Sequence, residues 1–191
     1  MIVVFGGAFN PPTIAHEAVA RHLLRQEFCK SLLFLPVGDA YPKPGLVPVS
    51  HRVEMLGLAC IGLENAKVSL VEAECLEPLP TLKSLERIQS GYPGHEVSFV
   101  VGADNLLGLH TWFKWETLLS KFYPIVFRRD GIDIDSLIEK HFSCFRDRFI
   151  ILSDFSGMAV SSTAYRGCLD NDSMVSGPIG SYIKRHHLYG R

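Results

Sequence analysis

The feature that most constrains this chain is a series of short apolar runs, several of them closed by glycine or proline. The clearest is residues 2–5, Ile-Val-Val-Phe, which ends at Gly6-Gly7. Runs that are apolar at consecutive positions are typical of strands buried on both faces. Further strands are predicted at residues 32–36, 68–73, 97–102, 124–128 and 149–152. A sheet of such strands needs a covering layer on each face.

Helical patterns separate these runs. Apolar residues at helical spacing predict a first helix over residues 16–28, and Ser50 is expected to cap the second. Further helices are predicted at residues 81–89, 105–121, 162–169 and 178–187. The alternation favours an α/β fold, a Rossmann-like doubly wound parallel sheet with helices on both faces. No repeat or linker divides residues 1–191, so we expect a single domain.

Charge and composition exclude some classes of function. The chain has 19 Lys+Arg and 20 Asp+Glu, a net charge of −1 and a pI near 6.7, which argues against binding to nucleic acid polymers or membrane surfaces. Neither a basic-apolar leader nor an apolar run of about 18 residues is present. Five cysteines without a C-x-x-C pair favour a reducing, cytoplasmic location, and the role of Cys168 stays open.

The first segment that could carry chemistry is residues 6–16, from Gly6-Gly7 to His16. Small residues allow a ligand to approach the backbone, and the start of the following helix favours a phosphate. Thr13 and His16 are three residues apart and share one face of that helix start. An alternative interpretation is a tight turn followed by a capping or core histidine. The segment is neither a dinucleotide-binding fingerprint nor a Walker loop.

Two later segments also follow predicted strands. Ser161, Ser162 and Thr163 stand at a helix start, and Arg166 projects from the same face, where its planar fork would suit phosphate oxygens. A capped surface helix with a solvated arginine is the alternative. After the strand at residues 97–102, Asp104 could bind a ribose or base edge and Trp112 could stack on a planar ring. Lys43 and Arg52 are isolated basic residues near the second strand.

Taken together, these segments resemble the nicotinate/nicotinamide mononucleotide adenylyltransferases, in particular the bacterial nicotinate-mononucleotide type. The start of the chain is similar to the family's G-G-x-F-(D/N)-P-x-(H/T)-x-x-H signature, and residues 160–166 are similar to I-S-S-T-x-x-R. Residues 34–56, 102–115 and 182–190 also follow the family, in the same order along the chain.

The resemblance implies adenylyl transfer from ATP to nicotinate mononucleotide, giving the dinucleotide and pyrophosphate in NAD biosynthesis, by one nucleotidyltransferase domain over residues 1–191. It assigns catalysis to His16, Thr13 and Arg166, with Mg²⁺ carried on the ATP phosphates and no protein metal site. It places ATP on Gly7, Ala8, Phe9, His16, Lys43, Gly102, Asp104, Ser161, Ser162, Thr163 and Arg166. It places the mononucleotide on Arg52, Thr81 and Trp112. An oligomer is compatible with the sequence.

Some positions depart from the family's pattern. Asn10 replaces the usual aspartate, Thr13 a first histidine, Ala15 a glycine, and Pro42 a histidine before Lys43. The choice between nicotinate and nicotinamide mononucleotide therefore stays open. So do two alternatives: another small-molecule nucleotidyltransferase of the same fold, such as a pantetheine-phosphate adenylyltransferase or a cytidylyltransferase, and a non-catalytic nucleotide-binding relative.

Overall fold

The computed structural model describes residues 1–128, 132–153, 155, 160–167 and 172–191. In these residues, six parallel strands form one sheet in the order β3-β2-β1-β4-β5-β6. The strands are β1 (Ile2–Gly7), β2 (Ser31–Pro36), β3 (Ala66–Val68), β4 (Val97–Val101), β5 (Tyr123–Phe127) and β6 (Ile150–Leu152). The order reverses between β1 and β4, and ligands of such sheets bind beyond the carboxyl ends of the strands at that reversal.

Helices connect these strands. They are α1 (Ile14–Leu24), α2 (Val49–Cys60), α3 (Thr81–Gly91), α4 (Ala103–Leu106), α5 (Trp115–Lys121), α6 (Ile134–Phe142), α7 (Ser162–Gly167) and α8 (Gly177–Arg185). Short 3₁₀ turns occur at Leu109–Thr111, Ser143–Arg148, Asp172–Met174 and Leu188–Gly190. None of the helices in the described ranges is both long and apolar enough to span a bilayer.

Successive residues of β1 pack into two different hydrophobic clusters. Ile2 and Val4 belong to a cluster that includes α3, α5 and α6, whereas Val3 belongs to a cluster that includes α1. Because side chains alternate across a strand, this division places a helical layer on each face of the sheet. The doubly wound α/β prediction is confirmed. A third cluster packs Met55 and Ala59 of α2 against Tyr165 of α7 and Ile179 and Ile183 of α8.

Element boundaries differ from the sequence prediction in several places. The first helix ends at Leu24, before a turn, and not at residue 28. Ser50 does not cap α2: the helix starts at Val49, whose N–H is satisfied by Asp39 Oδ1 at 2.7 Å. Because the capping carboxylate lies ten residues before the helix, the sequence next to Val49 contains no signal for it.

A third difference lies after β2. β3 lies at Ala66–Val68, and residues 70–75 form turns where a longer strand was predicted. The helices predicted over residues 105–121 are α4, a 3₁₀ turn and α5, and an extended Trp112 and a left-handed Lys114 (φ 48°) stand between the turn and α5. This break separates Trp112 from α5.

Candidate active site

The loop after β1 approaches the reversal point of the sheet with little side-chain bulk. A Cβ at Gly7 would lie 3.1 Å from the Phe9 ring, closer than ordinary van der Waals contact, so a larger residue there would require the ring to shift. Phe9 has a left-handed backbone (φ 46°), and its ring is buried between Phe34 and His16. Phe9 was expected to line the nucleotide, and the structure places its ring in the core cluster that includes α1.

His16 presents one defined ring nitrogen. Its Nδ1 accepts the backbone N–H of Thr13 at 2.9 Å, at the start of α1. A backbone N–H can only donate, so Nδ1 is the acceptor, and the proton of the neutral ring is on Nε2. Burial lowers the pKa of His16 from 6.5 to about 4. At neutral pH the residue is a neutral hydrogen-bond donor, not a cation.

Thr13 supports His16 and does not face the solvent. The residue is fully buried, and its hydroxyl lies 2.8 Å from His16 Nδ1. Thr13 was expected to bind a phosphate directly, whereas in the structure its side chain is buried against the His16 ring. Thr13 fixes the orientation of the imidazole at the helix start.

Asn10 links the loop after β1 to three other segments, a role that the sequence interpretation missed. Its amide nitrogen donates to Gly45 O at 2.8 Å, and its Oδ1 accepts from Val47 N–H at 3.2 Å and from the Tyr189 hydroxyl at 2.8 Å. The residue is 1% exposed. An amide can donate and accept at once, which a carboxylate at this position could not do. The available signal was an asparagine within a loop of small and apolar residues, directly before two prolines.

Arg52 is enclosed by its own protein. Its side chain is fully buried. Its guanidinium donates to Val47 O, Ala8 O and Val37 O over 2.9, 3.1 and 2.7 Å, and to Asp39 Oδ1 over 3.3 Å. Burial lowers the pKa of Arg52, and the Asp39 carboxylate opposes that shift. Arg52 was expected to help place the mononucleotide, and in the structure its side chain ties the loop after β1 to the loop after β2.

The segment around α7 meets the loop after β1. Arg166 donates to Asn10 O at 2.6 Å and to the Thr163 hydroxyl at 3.4 Å, and Ser162 donates to Pro11 O at 2.8 Å. The Ser161 hydroxyl accepts the Ala164 N–H at 3.1 Å, as a helix cap does. Thr163 is exposed, and Arg166 is half-buried. Two segments that are about 150 residues apart in sequence therefore form one donor-rich surface.

The remaining candidates surround this surface. Lys43 is exposed on the loop that Asn10 holds through Gly45. Gly102 and Asp104 are exposed directly after β4, beside the end of β1. Thr81 is the first residue of α3 and is half-buried, as is Trp112, which packs on the core from one side. Within the described ranges, no hydrogen bond joins Lys43, Thr81 or Trp112 to His16 or Arg166.

The arrangement is suited to anions. The side chains that meet at the loop after β1 present an imidazole N–H, a guanidinium and hydroxyl groups, which bind phosphate oxygens. Within the described ranges, no group of three or more His, Cys, Asp or Glu side chains could hold a metal ion. The donor set itself can orient a polyphosphate.

Comparisons with known proteins agree with this geometry. The family model described as cytidylyltransferase-like matches residues 4–167. A protein of Albidiferax ferrireducens, named as a probable nicotinate-nucleotide adenylyltransferase, is 31% identical over 98% of this chain and 97% of its own length. The nicotinate-nucleotide adenylyltransferase of Bacillus subtilis is 27% identical, with the same coverage.

A solved structure shares the fold. The nicotinic acid mononucleotide adenylyltransferase of Plasmodium falciparum, complexed with NaAD, is similar with a TM-score of 0.81 at 20% identity, over 98% of this chain and 96% of that one.

Proposed function

Because this chain belongs to the cytidylyltransferase-like family, and within it to the nicotinate-nucleotide adenylyltransferases, we propose that it transfers the adenylyl group of ATP to nicotinate mononucleotide. A phosphate oxygen of the mononucleotide attacks the α-phosphorus of ATP and forms the new P–O bond. The bond from that phosphorus to the bridging oxygen breaks, and pyrophosphate leaves with the electron pair. The products are the dinucleotide of the NAD pathway and pyrophosphate.

The protein's part in this reaction is positioning and charge stabilisation. His16 donates its Nε2–H to a phosphate oxygen as negative charge develops. Arg166, Thr163, Ser162 and Ser161 hold the β- and γ-phosphates, the two serines through the helix start that they order. Gly7 and Ala8 allow the nucleotide to approach the backbone, and Lys43 adds a positive charge from the neighbouring loop.

The two nucleosides lie on either side of this phosphate site. Gly102 and Asp104, beyond β4, contact the adenosine. Trp112 stacks on the pyridine ring of the mononucleotide, and Thr81 contacts it from the start of α3. The half-buried position of Trp112 supports this role, because one side of the indole packs on the core while the other is free to stack.

A divalent cation, Mg²⁺, is part of the proposal as a companion of ATP. The side chains on the expected path of the triphosphate, His16, Thr163 and Arg166, are neutral or cationic, so they fit a cation held by the phosphates themselves. When bound, Mg²⁺ neutralises charge on the phosphate oxygens.

We also propose that residues 1–191 act as one domain in the cytoplasm, which the four described free cysteines support.

The observation that carries the proposal is the convergence of His16 and Arg166 on one short loop, residues 7–13. The test is release of pyrophosphate by purified protein with ATP, Mg²⁺ and nicotinate mononucleotide or nicotinamide mononucleotide in separate reactions. We expect turnover with the nicotinate substrate and its loss in His16→Ala. His95→Ala changes an exposed histidine and serves as the matched control.

Two outcomes would contradict the proposal. Equal rates with both mononucleotides would refute a strict nicotinate preference. Release of no pyrophosphate with any acceptor, together with retained ATP binding, would favour the non-catalytic alternative.

A further inference from the structure

The last turn of the chain reaches into the candidate site. The Tyr189 hydroxyl donates to Asn10 Oδ1 at 2.8 Å, although the two residues are 179 positions apart. The Tyr189 ring packs edge-on against Tyr165 of α7, at 6.1 Å between centroids. Tyr189 belongs to the last 3₁₀ turn and not to the strand ends or helix starts around the sheet reversal. It nevertheless contacts the loop after β1, which is predicted to bind the triphosphate.

The backbone that carries Tyr189 is in an unfavourable conformation. His187 and Tyr189 have φ values of 51° and 58°, in the left-handed region that side-chain-bearing residues rarely adopt. Such strain persists only where surrounding contacts enforce it. Leu188 is buried in the cluster between α2 and α8, and Arg191 donates to Tyr165 O at 3.1 Å and to Asp172 Oδ1 at 3.0 Å. The anchors on both sides of Tyr189 force its side chain toward Asn10.

Asn10 transmits this contact to the phosphate site. Its own carbonyl accepts the 2.6 Å hydrogen bond from Arg166, and its amide holds the loop of Lys43 through Gly45 O. Burial raises the pKa of Tyr189 well above its usual value, so the hydroxyl remains a donor at neutral pH. Among the described residues, removing that donor would leave Asn10 Oδ1 with the longer contact to Val47 N–H.

We propose that Tyr189 is a positioning residue for ATP, which acts through Asn10 to set the place of Arg166 and of the loop that carries Lys43. The proposal rests on the proposed adenylyl transfer, in which these groups bind the triphosphate. The proposal makes different predictions for the two substrates. Binding of the ATP triphosphate depends on Tyr189, whereas binding of the pyridine ring of the mononucleotide, near Trp112, does not.

The test compares Tyr189→Phe with the wild type and with Tyr182→Phe. Tyr182 is a matched control, because its hydroxyl also makes one side-chain hydrogen bond, to His51 Nδ1 at 2.9 Å, on the face between α2 and α8. We expect Tyr189→Phe to raise the KM for ATP about fivefold, the effect of one neutral hydrogen bond, and to leave the KM for nicotinate mononucleotide within about twofold. Tyr182→Phe should leave both unchanged.

A loss of folded protein would lower kcat and leave both KM values unchanged, and that result would overturn the positioning role. An unchanged KM for ATP, or equal increases for both substrates, would overturn it too. In an Asn10→Ala background, Tyr189→Phe should have no further effect on the KM for ATP, because the residue through which it acts is gone.

A binding measurement separates this proposal from the proposed function. Calorimetry of ATP with Mg²⁺ and no mononucleotide requires no turnover. If the wild type binds ATP but does not turn over, the adenylyl transfer proposal fails, and a weaker affinity of Tyr189→Phe still supports the positioning role. Equal affinities of the wild type and Tyr189→Phe would refute it.

Discussion

The backbone N–H of Thr13 donates to Nδ1 of His16 over 2.9 Å. This contact fixes the tautomer of the imidazole and turns Nε2–H away from the helix start. It also explains why a threonine is sufficient at position 13: the backbone, not the side chain, makes the bond that a neutral His16 needs.

The stability of the protein should depend on His16 in a defined pH range. Burial lowers the pKa of His16 to about 4, whereas the unfolded chain takes up this proton near 6.5. The unfolded state therefore binds more protons between these values, so the contribution is fully present above pH 6.5 and is lost as the pH falls toward 4. Urea denaturation at several pH values should show a shallower decline for His16→Gln than for the wild type. His95→Gln should keep the wild-type slope; identical slopes for all three would contradict the assignment.

Thr13→Val should have a mild effect on catalysis. Valine keeps the shape of the fully buried side chain and leaves the backbone N–H bonded to His16. We expect turnover to fall about two- to fivefold, against about a hundredfold or more for His16→Ala. Initial rates of pyrophosphate release at saturating substrates measure both. If Thr13→Val were as damaging as His16→Ala, the hydroxyl would have to act on the substrate itself.

Arg52→Lys should destabilise the protein more than it weakens binding. The single ammonium of lysine cannot replace a planar fork that serves three carbonyls and a carboxylate. We expect the free energy of unfolding in urea to fall by about 2–4 kcal/mol, since buried acceptors lose their donors. Arg25→Lys, at an exposed arginine, is the matched control. A raised KM for the mononucleotide with unchanged stability would instead support direct contact.

Gly38→Ala should also destabilise the protein. A Cβ at Gly38 would lie 2.5 Å from the backbone oxygen of Glu72, and a backbone atom cannot move aside easily. Gly57, inside α2, has no atom within 4 Å of such a Cβ, so Gly57→Ala should raise the free energy of unfolding by up to about 1 kcal/mol. Thermal melts of the two variants should shift in opposite directions. A shift in the same direction would show that the close approach of Gly38 to the backbone of Glu72 is not essential for stability.

Trp112→Leu should affect one substrate only. Leucine preserves part of the packing on the core but removes the ring face, and stacking on an aromatic side chain contributes about 1–3 kcal/mol. The KM for nicotinate mononucleotide should rise about tenfold and the KM for ATP should remain within twofold. A rise in the KM for ATP alone would indicate that the adenosine, and not the pyridine ring, lies against Trp112.

Much of the fold could be predicted from local pattern. The buried strands and the alternation of strands with helices follow from runs and periods that extend over only a few residues. The errors fell where a distant group replaced a local one. Asp39, ten residues earlier, and not Ser50, satisfies the first N–H of α2.

The sequence by itself determined the alternation of strands and helices along the chain. It also determined which groups are available: the small residues after β1, and a histidine, hydroxyls and an arginine near strand ends. Only the tertiary structure decided which of those groups are occupied within the protein. Arg52 and Thr13 are fully buried among internal partners, Arg166 meets Asn10 across 156 positions, and Tyr189 completes the same loop from the last turn. The physical reason is that a hydrogen bond depends on distances of about 3 Å between atoms, and no local pattern encodes the distance between residues far apart in the chain.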